Sequence, residues 1–129
     1  QNVSSYESNV IKDGMKKKIK LGDLCQILSD IQGIERIRYL TSHPIDIDDN
    51  LINQHKNNPK LMPFLHLPIQ SGSDRILKKM NRKHSKTFYL NLIEKIKKIK
   101  KNMAFSSYFI VGYPGETDYD FQVSLEVIE

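Results

Sequence analysis

The chain has 129 residues, 39% of them hydrophobic, enough for one domain that withdraws roughly two thirds of its unfolded surface from water. Twenty Lys and Arg against 15 Asp and Glu leave a net charge of +5, which points toward acidic partners such as nucleic acid without establishing one. A single cysteine, Cys25, excludes an internal disulfide and a metal cluster held by cysteines alone, and it suits a reducing cytoplasm; no apolar run approaches the roughly 18 residues of a membrane span, and the opening QNVSSYESNV lacks a signal-peptide pattern.

In chain order, IKDGMKKKIK (11–20) reads as a loop, because a D-G turn signal sits in a lysine cluster with little apolar content. Leu21, Leu24, Ile27, Leu28 and Ile31 then recur at helical spacing before Gly33, which predicts a helix over 21–32 with that stripe buried. IERIRYL (34–40) alternates like a strand and ends at TSHP (41–44). DIDDNLINQHK (46–56) predicts a helix whose acidic first turn faces the positive end of its dipole. MPFLHLPI (62–69) is the second predicted strand. A helix over 74–80 follows, with Ser73 as its cap, and then a longer one after Ser85 with Tyr89, Leu92, Ile93, Ile96 and Ile99 inward. AFSSYFIVG (104–112) is the third strand. The last helix has Thr117 and Asp120 at capping-box positions and is expected to turn Phe121, Leu125 and Ile128 inward.

Strands that alternate with helices of this length imply βαβ units, because parallel neighbours need a crossover. The expected fold class is α/β, a partial (β/α) barrel with parallel strands, cut from a domain of about 250 residues. Ligands of such folds bind beyond the C-terminal ends of the strands. The small polar clusters all fall there: SHP after the first strand, QSGS after the second, GYPGET after the third, and QN at the start. Several residues also have plain readings. His43 before Pro44 suits a turn, His66 between leucines suits a hydrogen-bonded interior position, and His55 and His84 suit the surface. Gly112, Pro114 and Gly115 fit a turn and a close ligand approach equally well. KIKKIKK, residues 95–101, is foremost a solvated helix face. Neither a phosphate-binding lysine loop nor a dinucleotide glycine fingerprint is present, so neutral hydrogen-bonding groups plus Arg82 suit a nucleoside with an amino-acid tail.

TSHP, FLHLPIQSGSDRILKKMNRKH and SSYFIVGYPGET, in this order and at these separations, closely resemble the radical S-adenosylmethionine methylthiotransferases of the tRNA-modifying, MiaB type. The opening QNV resembles the end of that family's second barrel strand. The likeness covers nearly the whole chain outside residues 5–20. It implies the radical-SAM, TIM-like barrel fold, with this chain supplying about strands three to five. It also implies a cytoplasmic transferase that adds a methylthio group to C2 of N6-isopentenyladenosine beside the anticodon, using S-adenosylmethionine and two 4Fe-4S clusters, with tRNA as partner.

Residue by residue, the resemblance puts Gln1 and Asn2 on the cofactor side of the site and Ser42 and His43 on its rim. It sets Gln70, Ser71 and Ser73 against the ribose or methionyl end of S-adenosylmethionine, Arg82 near its carboxylate, and Gly112, Pro114, Gly115 and Glu116 around its adenine. The family's C-x3-C-x2-C motif, its second cysteine set and its C-terminal RNA-binding domain are not in these residues, and Tyr108 stands where the family usually has Asp. The isolated chain is therefore expected to be an inactive central piece. Two other readings stay open: a fragment of the sister family that methylthiolates a ribosomal-protein aspartate, and a non-catalytic basic α/β module that binds RNA through the 95–101 lysines.

Overall fold

A computed structural model describes residues 2–12, 14–40 and 42–128. The first departure from the sequence reading is at 11–20. β1 (Glu7–Lys12) and β2 (Met15–Lys20) form an antiparallel hairpin in register from Glu7↔Lys20 to Lys12↔Met15. Gly14, at φ +72°, supplies the left-handed backbone that a tight hairpin connection needs. The hairpin was invisible to an apolar-alternation test because Ile19 is the one residue of β2 that is buried.

α1 (Leu21–Ser29) follows directly and ends earlier than the periodicity predicts. Its buried side is Leu21, Gly22 and Cys25, with Leu24 and Leu28 partly covered, while Ile27 and Ile31 are exposed. Gly22 lets α1 lie directly on α2 (Asp49–Asn57), since a Cβ there would come within 2.9 Å of the Asn50 side chain. A short 3-10 turn, Pro44–Asp46, precedes α2, and Asp48 caps α2 by accepting from the Leu51 amide at 2.9 Å.

The predicted strand at 34–40 contributes only one parallel bridge, Ile37↔Leu61. β3 (Phe64–His66) pairs in parallel with β4 (Ala104–Ser106), and a further parallel bridge joins Gln70 to Phe109. Both strands are shorter than predicted. α3 (Asp74–Lys79) and α4 (Lys86–Ile99) make the crossover between them, capped by Ser73 and Ser85 as the sequence indicates. The fold is thus α/β with parallel pairing across helical crossovers, and among the described residues its β structure amounts to two two-stranded sheets plus isolated bridges.

Residues 61–70 carry the core. Leu61, Leu65, Leu67 and Ile69 are each at most 1% exposed and lie in one cluster with Leu51, Ile52, Tyr89 and Ile96. Each such side chain contributes about 1.5–3 kcal/mol relative to an exposed one. The alternate residues Phe64, His66 and Gln70 remain half-buried. Arg38, Tyr108 and Ile110, at alternating positions of the neighbouring segments, are exposed. α5 (Asp118–Leu125) has the predicted capping box, but its inner face is polar: Asp120 and Ser124 are buried, Phe121 is half-buried, and Leu125 and Ile128 are exposed.

Candidate functional site

QSGS shows why α5 turns a polar face inward. Gly72 has no room for a side chain: a Cβ there would lie 2.4 Å from the Val123 carbonyl oxygen. α5 therefore packs on bare backbone, and Ser124 Oγ accepts from the Gly72 amide at 2.8 Å. Ser71, 1% exposed, lies 3.3 Å from the same hydroxyl and accepts from Ser73 N at 3.1 Å. Ser73 Oγ donates to Asp120 at 2.5 Å. Asp120 also takes an ion pair from Arg75 and a 2.6 Å bond from Thr117 Oγ1. Arg75 above all, then Ser73 and Thr117, hold its carboxyl well below the usual carboxylate range. The hydroxyls of Ser71 and Ser73 thus fasten the loop to α5.

Gln70 is the loop residue whose position is set by sheet bonds. Its amide donates to Tyr108 O at 2.9 Å, its carbonyl accepts from Ile110 N at 2.8 Å, and its φ is +78°. A non-glycine residue in left-handed backbone is strained and is held there by its surroundings. The pairing brings Gln70 to within two residues of Gly112, so the second and third clusters share one end of the sheet. There the chain closes on itself: Gly112, at φ +74°, donates its amide to Glu116 Oε2 at 2.5 Å, and Gly115, at φ +80°, offers its carbonyl to Arg75 at 2.8 Å. Pro114 lies within this turn.

The first cluster adjoins the opening of the chain. Asn2 Oδ1 accepts from His43 N at 3.1 Å, and its Nδ2 donates to Asp46 at 2.5 Å. His43 Nδ1 accepts from Ile45 N at 3.3 Å, and its ring meets His84 edge-on at 5.4 Å between centroids. Burial lowers the His43 pKa, and Arg82 and Lys83 push it the same way against Asp46. Ser42 is 7% exposed, and among the described residues its hydroxyl, Arg82 Nε and His84 Nδ1, all buried atoms, have no hydrogen-bond partner. Gln1 lies outside the described residues.

His84 is the residue that the sequence reading placed on the surface and the structure buries, at 5% exposure. Its Nε2 donates to Ile69 O at 3.1 Å, one residue before the strained Gln70, which leaves Nδ1 as a bare acceptor. Burial lowers its pKa below the ordinary histidine value. The only signal in the chain was its place, just beyond α3, among residues with polar side chains. His55, also read as surface, is 3% exposed. His66, half-buried, bonds Ser106 Oγ at 2.7 Å and meets Tyr108 edge-on. The lysines of 95–101 are largely engaged within the molecule: Lys95 pairs with Asp49, Lys98 with Glu94, and Lys100 donates to His55 O at 2.7 Å.

This set of orphaned polar atoms, one guanidinium donor, one hydroxyl and one imidazole acceptor, suits a ligand with carboxylate and hydroxyl or ammonium groups. It does not suit an iron-sulfur cluster, because Cys25 is buried on the inner side of α1 and no group of three candidate metal ligands exists among the described residues.

The residue pattern of the Radical SAM superfamily matches residues 8–128. The chain belongs to that superfamily. Among relatives of this radical SAM chain, the tRNA-2-methylthio-N(6)-dimethylallyladenosine synthase of Rickettsia typhi is 50% identical over all 129 residues. Those of Bartonella bacilliformis and Roseobacter denitrificans are each 54% identical over the same span. The radical SAM chain covers 28% of the first two relatives and 29% of the third. No helix among the described residues is long and apolar enough to cross a membrane.

Proposed function

We propose that this chain is a segment of a radical S-adenosylmethionine methylthiotransferase that adds a methylthio group to C2 of an isopentenylated adenosine in cytoplasmic tRNA. The observation that carries this reading is 50–54% identity over the full 129 residues to relatives bearing that name. The segment corresponds to about the third to fifth strands of a TIM-like barrel. The alternation of 61–70 supports this, since one face is sealed by helices while Phe64, His66 and Gln70 face a side left open, as barrel-lining residues do.

S-adenosylmethionine, when bound, supplies radical hydrogen abstraction. Around it, Arg82 Nε would donate to the carboxylate, the Ser42 hydroxyl and His43 would close the rim, and Gln70 would meet the nucleoside. Asn2 acts by holding the His43 turn, and Ser71 and Ser73 act by fixing the loop that presents Gln70. Gly112 to Glu116 would form the wall beside the adenine. The cluster thiolates would come from residues outside this segment.

In the full-length enzyme, Gln70→Ala with Arg82→Ala should weaken S-adenosylmethionine binding by about tenfold or more, read by calorimetry. Unchanged binding would reject this placement. Mass spectrometry of tRNA from cells lacking the enzyme would test the reaction; normal methylthioadenosine there would reject it.

A further inference from the structure

The described basic side chains are not spread evenly over the surface. In the 95–101 run Lys95, Lys98 and Lys100 meet partners of their own, and at the α3–α4 turn Lys86 pairs with Glu126, whereas Lys78, Arg82 and Lys83 form no ion pair among the described residues. A cleft there is lined by Asp74, Lys78, Arg82, Lys83, His84 and Phe88. Lys78 and Lys83 are exposed, and neither they nor Arg82 makes an ion pair among the described residues. Asp74, the cleft's acidic member, already accepts from the Lys86 amide at 2.6 Å. The cleft also faces the start of α4, where the Asp74 carboxylate sits on the first amide and offsets the helix dipole, so the basic side chains carry the positive potential of the cleft. Phe88, on that first turn, is 40% exposed and presents a ring beside the cations.

Three cations that make no ion pair among the described residues and outnumber the single carboxylate beside them, next to an accessible aromatic ring, match what a nucleic-acid strand offers: phosphates for the cations and a base for the ring. An acidic peptide would use the lysines but gives no reason for the phenyl ring. From this juxtaposition we infer that the α3–α4 cleft is an RNA-binding surface, with Lys78 and Lys83 on phosphates and Phe88 against a base. The inference rests on the tRNA reading above and assigns it a surface. The cleft adjoins the Ser42–His43–His84 cluster through His84 and Arg82, so a strand held there would run toward the C-terminal ends of the parallel strands.

The test uses the full-length enzyme and an anticodon stem-loop RNA as probe, with affinity measured by fluorescence anisotropy over a range of KCl concentrations. Lys78→Gln with Lys83→Gln should lower the slope of log Kd against log salt by about 1.4, because each lost phosphate contact removes about 0.7. Phe88→Ala should weaken binding about tenfold with an unaltered slope. S-adenosylmethionine binding should be unchanged in both variants, and Lys95→Gln with Lys98→Gln should bind RNA as the parent does. Equal affinity and slope in the cleft variants, or a loss of thermal stability in place of weaker RNA binding, would overturn the inference. Failure of the unaltered enzyme to bind the RNA at all would instead strike the tRNA reading.

Discussion

His55 sits under Tyr39, whose hydroxyl is 2.6 Å from its Nε2, and burial together with Lys100 lowers its pKa from 6.5 to about 4. The folded imidazole therefore stays neutral at pH values where the unfolded one takes up a proton. Its contribution to stability is complete above pH 6.5 and is lost as pH falls from there toward 4, by about 3 kcal/mol in all. Thermal melts across that window should show a falling Tm, and His55→Gln should flatten the decline. Cys25, 2% exposed with its thiol pKa raised by burial, should resist iodoacetamide until denaturant is added. Neither histidine burial was legible locally, because His55 is covered by Tyr39 and His84 by the Ile69 segment, contacts made across 16 and 15 residues of chain. His43 was legible, because the turn around Pro44 is encoded by its immediate neighbours.

Among the elements, helix starts were readable for the same local reason: Ser73, Ser85 and Thr117 each bond an amide within their own first turn. The inner face of α5 was not. Its partner is a glycine-serine loop some 50 residues earlier, and the match is polar, so hydrophobic periodicity pointed to the wrong side. Gly72→Ala should force α5 outward and destabilise the chain by about 1–3 kcal/mol, measured by urea denaturation. Ser124→Ala removes the hydroxyl and keeps the backbone contact, so it should cost about 1 kcal/mol. The β1–β2 hairpin buries little, with Ile11 83% and Met15 71% exposed, and its amides should exchange with deuterium well before those of β3 and β4.

At the scale of the molecule, parallel connectivity followed from the order of elements, while the true length of the strands did not. Pairing depends on neighbours on both sides, and Ile37 finds one at a single bridge only. Tyr108 is 65% exposed on the open face of the sheet. In the proposed barrel that face becomes interior, so hydroxyl-radical footprinting should modify Tyr108 readily in the isolated chain and sparingly in the full-length protein. Equal labelling would argue against barrel closure over this face.

Strict in-and-out alternation from Leu65 to Ile69 makes this stretch intolerant of changes in length. Deleting Leu67 while Ile69 stays buried would send Phe64 and His66 into the helix-packed interior and put Leu65 on the open side, inverting the wet and dry sides of the strand before it. Deleting two would restore the parity, and the resulting frame would merely be short.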